Sequence, residues 1–441
     1  MLKDTFCSSP WFHIRINPAG YYIPCRWASE WLPEDGKSAH NIKDTNLLDY
    51  MNSSTMREFR VDLLEGTPSD VCKGCYYEDH NHKLSGRHKQ LLKSGIQISQ
   101  FDKTLCSSPH YNSFVYSLEH QGATEHTPTD IQIDLGNTCN SACIMCNPTY
   151  SSKLAKDYKK LSKLNPIIFP VYEEVKNWSD DSILVDKFID NLLKIQGLKY
   201  LHFLGGETLY LKSFYKICQS LIDAGISQDI IIGTTTNGTI YTEELENIIP
   251  KFKQFHLGIS IETVDGLNDY IRWPADTKEV LSNIDKFLIL KNIYNLQITL
   301  RITPNIFSIY RITDLFEYMI KNNIIAESCN ILSDPSCLRI ELLPLSLRTR
   351  ILNSIDELII RHGMVKEKTI LNRRRDDLIK PVIVDLVYEY QQLLKNIIEP
   401  DDADLERHKL VEFIKSFESI RGNGILKYLP EYEEFLRSYG Y

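Results

Sequence analysis

From residue 130 to residue 344 the chain alternates short apolar runs with longer amphipathic segments, and this rhythm constrains its fold more than anything else in it. The runs are Asp130–Leu135, Tyr200–Leu204, Ile230–Thr234, Gln254–Ile261, Leu296–Ile302 and Leu338–Leu343, rich in isoleucine, leucine and threonine. Helical periodicity fills most of the intervals, for example Ser182–Lys194 and Leu211–Ala224. Alternation of this kind predicts parallel βα units. Six runs predict an α/β fold, a partial (β/α)6 barrel of TIM type, whose strand C-terminal ends carry the chemistry.

The flanks read differently. Residues 1–100 predict a small α+β domain with strands at Trp11–Asn17 and Tyr21–Pro24, turns at Pro18–Gly20 and Pro33–Gly36, and a helix over Lys83–Ser94. Residues 101–128 read as a connector and 129–344 as the barrel. Residues 345–441 read as helices broken at Gly363, Pro400 and Gly422–Gly424. A length of 441 residues, 43% of them hydrophobic and 24% charged, suits an ordinary globular chain of two or three domains.

A formal charge of −8 gives no support to extended phosphate binding, although a local nucleic-acid groove stays open. No segment has the form of a signal peptide or the length to span a membrane, so a cytoplasmic protein is expected. Thiols stay reduced there, and the eleven cysteines are then ligands, catalytic groups or core rather than disulfides. Cys218, Cys329 and Cys337 lie in apolar segments and are expected as core. Arg373-Arg374-Arg375, followed by two aspartates, is expected on a solvated helix face.

Cys139, Cys143 and Cys146 follow directly on the first run of the barrel, with spacing C-x3-C-x2-C. Structural zinc usually takes four protein ligands, often as two separated pairs. Three thiolates on one tight loop fit a cubane iron–sulfur cluster better, with one iron left without a protein ligand. Cys-Asn-Ser-Ala-Cys-Ile-Met-Cys (139–146) resembles the signature loop of the radical S-adenosylmethionine (SAM) enzymes, which also follows their first strand. Gly205-Gly206-Glu207 closes the second run, similar to that family's Gly-Gly-Glu-Pro turn, with Thr208 in the place of proline. Two glycines allow close backbone approach, and a carboxylate accepts hydrogen bonds from an ammonium group.

The resemblance implies further residues. Thr236 and Asn237 lie in a segment similar to the family's Thr-Asn-Gly at the third strand. Ser260 and Arg272 fall where the family reaches the SAM ribose and carboxylate, with Glu262 where aspartate is commoner. Met145 stands where an aromatic residue usually packs the adenine, and Glu341–Pro344 fits the last strand.

Cys7-x12-Gly20-x4-Cys25, followed by Cys72-x2-Cys75, is a second constellation, with His80 and His82 nearby as an ordinary zinc alternative. Gly20 lies in a tight turn that would bring Cys7 and Cys25 together across two strands. The pattern resembles the twitch subdomain, a shorter relative of the SPASM domain, which binds an auxiliary 4Fe–4S cluster. In the best-known relatives it follows the barrel; here it precedes it. Trp11, Trp27 and Trp31 are expected to shield this region.

The resemblance implies two clusters, a SAM-binding one on three cysteines and a closed auxiliary one on four. One electron from the first would cleave SAM to a 5′-deoxyadenosyl radical, which removes a hydrogen atom from the substrate. The second could accept an electron, making the net reaction oxidative; if it only relays electrons, a redox-neutral epimerisation or rearrangement stays open. A reductant such as flavodoxin or ferredoxin is implied. A peptide or protein substrate is favoured because SPASM and twitch enzymes are rich in peptide maturases. A nucleotide, nucleic-acid base or sugar is the alternative within this class. A non-catalytic zinc-binding interaction protein is the alternative outside it.

Overall fold

The computed structural model describes residues 5–28, 33–34, 38–80, 85–93, 109–326, 331–365 and 383–441. Trp31, His82, Cys106, Cys329 and Arg373-Arg374-Arg375 lie outside the described residues. The chain is α/β, mostly helical, with a mostly parallel eight-stranded sheet. It divides into two compact units. The first is Met1–Asn137, Val175–Thr234 and Asn247–Phe255; the second is Thr138–Glu174, Thr235–Glu246 and His256–Tyr441.

In the first unit β1 (His13–Ile16), β2 (Tyr22–Ile23), β3 (Asp130–Asp134), β4 (Tyr200–Leu204) and the start of β5 (Ile231–Thr236) lie in the order β5-β4-β3-β1-β2. β3 pairs in parallel with β4, Asp130 opposite Tyr200, and β4 with β5, Tyr200 opposite Ile231. On its other side β3 pairs in parallel with β1, His13 opposite Asp130. The N-terminal segment therefore adds a strand to the barrel sheet. Side chains alternate along a strand, so Asp130, Gln132 and Asp134 share one face and Ile131 and Ile133 the other.

That polar row is buried and paired. Asp130 meets His13 Nδ1 at 3.2 Å and accepts from Arg26 Nη2 at 3.1 Å. Asp134 accepts from Arg15 Nη2 at 2.6 Å and from Gln132 Nε2 at 3.0 Å. Helices Ser182–Leu192 and Lys212–Asp223 bury apolar stripes that include Val185, Phe188, Phe214, Ile217 and Leu221. Each such side chain contributes about 1.5–3 kcal/mol when fully buried. Cys218 belongs to the second stripe and is wholly buried, as expected of core.

Two expectations for this unit change. The strand expected from Trp11 starts instead as a helical turn, Ser9–Phe12, because Pro10 at its first turn presets helical φ. Within residues 101–128, expected as a connector, Pro109–Glu119 is helical. Phe114 of that helix packs with Phe6, Trp11 and Phe12 in one buried aromatic cluster. Trp27 is 37% exposed, yet its ring lies over Gly86, where a Cβ would come within 2.3 Å of it.

In the second unit most of β6 (Gln254–Ser260), β7 (Leu296–Arg301) and β8 (Ile325–Ala326) lie in the order β8-β7-β6, with β8 parallel to β7. The strand expected at Leu338–Leu343 is not formed. Ser336–Leu338 and Ile340–Leu342 are two single 3-10 turns, although Leu338, Ile340 and Leu342 are buried in alternation. Their amides are used locally: Leu338 N–H donates to Pro335 O at 3.0 Å and Leu343 N–H to Ile340 O at 3.1 Å. Arg407 Nε donates to Leu342 O at 2.9 Å, so a side chain takes the place of a neighbouring strand. Helices Leu345–Arg361 and Ala403–Arg421 end just before Gly363 and Gly422, both with positive φ. Among the described residues no helix is long and apolar enough to cross a membrane.

Candidate iron–sulfur and SAM sites

The glycine-rich turn belongs to the first unit. Gly205 (φ +90°) and Gly206 (φ +55°) both adopt backbone that side chains disfavour. A Cβ on Gly205 would fall 2.4 Å from the Gly136 carbonyl oxygen, so the turn seats directly against the chain leaving β3. Glu207 is buried, and its Oε1 accepts from Leu209 N–H at 3.1 Å, starting the turn Thr208–Tyr210.

The cysteine loop belongs to the second unit and is fixed by its backbone. Ala142 N–H donates to Trp273 O at 2.6 Å and Ile144 N–H to Ile271 O at 2.9 Å. Those two bonds bracket Cys143. Asn237 Nδ2 donates to Asn140 Oδ1 at 2.7 Å and to Ser141 Oγ at 2.9 Å, while Asn140 Nδ2 donates to Thr239 Oγ1 at 2.8 Å. The segment after β5 thus holds the first half of the loop. Thr236 Oγ1 accepts from Gly238 N–H at 3.1 Å and shapes that segment.

Arg272 reaches the same place. Its Nη1 points to Cys143 Sγ at 3.7 Å, and its Nη2 donates to Glu262 Oε1 at 2.5 Å. Glu262 Oε2 accepts from Thr303 N–H at 2.9 Å, and both members of the pair are buried. Burial pushes the Cys143 thiol up, and the Arg272 charge draws it back. Cys146 is pushed up to about 12 by burial and then by the neighbouring Cys143. Arg272 Nε is buried with no hydrogen-bond partner, a donor of the kind a carboxylate would satisfy. Ser260, the last residue of β6, and Met145 in the loop are both half-buried. Arg421, from the Ala403–Arg421 helix, also touches the loop, donating to Ala142 O at 2.7 Å. Nothing in the local sequence pattern marked it; a lone arginine at a helix end is ordinary.

The four early cysteines all belong to the first unit. Cys7 precedes the Ser9–Phe12 turn and Cys25 follows β2, while Cys72 closes a short turn and Cys75 lies on helix Lys73–His80. Gly20 (φ +88°) makes the hairpin turn, its N–H donating to Asn17 O at 2.9 Å. A Cβ there would lie 2.8 Å from Ile42 Cγ2. The four sulfurs sense one another. Burial raises Cys7 most, and charge on Cys25, Cys72 and Cys75 raises it further. Burial pushes Cys72 up to about 12, reinforced by Cys25 and Cys75, and pushes Cys25 up to about 11. Ser9 N–H donates to Cys7 Sγ at 3.5 Å, as backbone amides do around cluster thiolates. Arg26, paired with Asp130, and Arg87, bound to Asp79 at 2.5 Å, oppose the accumulated negative charge.

Among the described residues no three His, Cys, Asp or Glu side chains gather as ligands of a single metal ion would. In a cubane each thiolate takes a different iron, so the ligands spread more widely. An all-sulfur donor set, buried at Cys7 and Cys143 and half-buried elsewhere, with amide and guanidinium donors beside it, fits a cluster of this kind.

Residues 133–297 match the model of the radical SAM superfamily. More particularly, residues 7–76 match the SPASM iron–sulfur cluster-binding domain, so the chain carries a cluster-binding domain ahead of its radical SAM domain. No curated protein matches it in sequence. Among solved structures it is similar to Streptococcus suis SuiB bound to the precursor peptide SuiA, with 16% identity, a TM-score of 0.35, and coverage of 81% of this chain and 70% of that one. It is also similar to native anSMEcpe with bound AdoMet, with 16% identity, a TM-score of 0.38, and coverage of 54% of this chain and 63% of that one.

Proposed function

We propose that this protein is an enzyme that reductively cleaves SAM and abstracts a hydrogen atom from a peptide or protein, for a net oxidative modification. Cys139, Cys143 and Cys146 hold the SAM-binding cluster; Cys7, Cys25, Cys72 and Cys75 hold the auxiliary one. The observation that supports this best is the pairing of an open three-thiol loop with a closed, mutually interacting four-thiol set. With cluster and SAM bound, the site supplies a 5′-deoxyadenosyl radical that takes a hydrogen atom from an unactivated carbon.

The chain's own residues then have defined tasks. Glu207, with Gly205 and Gly206, accepts hydrogen bonds from the SAM ammonium group. Arg272 Nε meets the SAM carboxylate, while Nη2 stays bound to Glu262, which fixes the guanidinium plane. Ser260 reaches the ribose, and Met145 packs the adenine through its thioether. Asn237, with Thr236 shaping its turn, holds Asn140 and Ser141 in place and so sets where Cys139 and Cys143 project.

Anaerobically reconstituted protein should bind about eight irons per chain, the sum of two 4Fe–4S clusters. With dithionite and SAM it should release 5′-deoxyadenosine, and Cys139→Ala should abolish that release. Short peptides encoded beside the gene should become lighter by two hydrogen atoms after turnover. Modification of a nucleoside or sugar, with all such peptides unchanged, moves the substrate to the alternative class. Colourless protein holding only zinc sinks the enzyme reading.

A further inference from the structure

We infer that Arg421, from the C-terminal helix, is a positioning residue for the SAM-binding cluster that holds the Cys143 segment and raises the cluster's reduction potential. This rests on Cys139, Cys143 and Cys146 being the cluster ligands. Neither family match extends to residue 421, so the helix that bears it has had no assigned part in the chemistry.

The placement is specific. Residue 142 has both of its backbone groups held, its N–H by Trp273 O at 2.6 Å and its carbonyl by Arg421 Nη2 at 2.7 Å. The next residue is Cys143. The same Nη2 donates to Asp157 Oδ2 at 3.0 Å, which ties helix Ser152–Leu161 into the arrangement. The guanidinium carbon lies 4.2 Å from the ring centroid of Phe417, one turn earlier on the same helix. The aromatic face therefore fixes the guanidinium plane.

The side chain of Arg421 is 2% exposed, and its Nε and Nη1 have no hydrogen-bond partner. A buried cation with unspent donors is costly unless an anionic group stands near it. Cys143 is among the groups that act on Arg421 electrostatically, and Arg421 acts on Cys143 in the opposite sense. A cluster becomes more negative by one unit when reduced, so a nearby positive charge favours the reduced form. Lysine in this place would keep the charge but not the planar fork, and methionine would keep neither.

The test compares Arg421→Lys, Arg421→Met and the double variant Arg421→Met/Asp157→Asn in otherwise full-length, cluster-loaded protein. Cys72→Ala/Cys75→Ala in each background leaves only the SAM-binding cluster to be read. Midpoints come from anaerobic dithionite titration followed by EPR. Arg421→Met should shift the oxidised-to-reduced ratio at a fixed potential about tenfold towards oxidised, which is ~59 mV for one electron. The double variant should recover most of that shift, because the uncompensated Asp157 charge is removed with it. Arg421→Lys should keep the wild-type midpoint while its EPR line shape changes. Arg421→Met with wild-type iron content and an unchanged midpoint overturns the inference. If Arg421→Met does not load, the double variant is read instead, and a full wild-type line shape there overturns it as well. Wild-type protein with no reducible cluster would instead remove the proposed function on which this rests.

Discussion

The two cysteine sites solve one electrostatic problem with different parts. The four-thiol set lies within one unit, where burial raises the thiols most and neighbouring sulfurs raise Cys7 and Cys72 further. The three-thiol loop has fewer sulfurs, and the Arg272 charge is the strongest influence on Cys143 after burial. Both sites keep two arginines close, and each arginine is tied to an acid: Arg26 to Asp130, Arg87 to Asp79, Arg272 to Glu262 and Arg421 to Asp157. The closed set is a local product of a hairpin and a helix. The open loop is clamped by residues drawn from far along the chain. On the proposed roles, a site that only carries electrons would need little beyond its ligands, whereas one that also seats SAM would have to be held from several sides.

Removing ligands should break this comparison most severely. Replacing Cys139, Cys143 and Cys146 with alanine should abolish 5′-deoxyadenosine formation and lower bound iron by about four per chain, the content of one 4Fe–4S cluster. Cys72→Ala/Cys75→Ala should lose as much iron but still form 5′-deoxyadenosine, while the product of the substrate disappears. Iron assay and chromatography of the two variants check this; loss of 5′-deoxyadenosine in the second would mean the sites do not divide the labour as stated.

Next in size is the buried pair. Arg272→Gln leaves Glu262 buried without its cation and should cost about 3–5 kcal/mol in urea denaturation. Arg87→Gln, on the closed side, loses a part-buried charged hydrogen bond and should cost about 1.5–3 kcal/mol. Equal losses would show that the open site is no more dependent on its arginine than the closed one.

These arginines also mark where the sequence stopped being legible. Five of the barrel's strands could be placed because their apolar runs are short, branched and bounded by helical periodicity. Leu338–Leu343 misled because two successive 3-10 turns bury alternate residues as a strand does, and only their hydrogen bonds distinguish them. Both cysteine groupings stood out by spacing, the triplet on one loop and the early four as two pairs, one of them flanking a hairpin. The Arg421–Ala142 contact was not, because it joins residues hundreds of positions apart and leaves no periodic trace. The pairing of β1 with β3 was hidden for the same reason.

Glycine substitutions sharpen the contrast further. Gly205→Ala and Gly20→Ala each pay about 1–2 kcal/mol for left-handed backbone. Gly205→Ala should cost more, because its Cβ meets the Gly136 carbonyl at 2.4 Å, whereas at Gly20 the nearest atom is the Ile42 Cγ2 methyl at 2.8 Å. Thermal melts of the two variants rank them; the reverse order would mean that the turn at Gly205 yields more easily than its packing implies. Smallest of all, Cys218→Ala should cost about 1 kcal/mol and leave iron content unchanged, as expected of a cysteine that serves only as packing.

The parallel pairing of β1 with β3 has a consequence for how the protein is made. β1 leaves the ribosome early, but its partner strand is synthesised only after the intervening helices and loops. At about 5–20 residues per second, the N-terminal hairpin has to wait several seconds with one strand edge uncovered. During that interval His13 and Arg15 on β1 keep the edge charged or polar, which discourages pairing with other chains. Asp130 then meets His13, and Asp134 pairs with Arg15, as the sheet closes. The side chains of His13 and Arg15, paired in the finished sheet, thus act as a guard on the unfinished one.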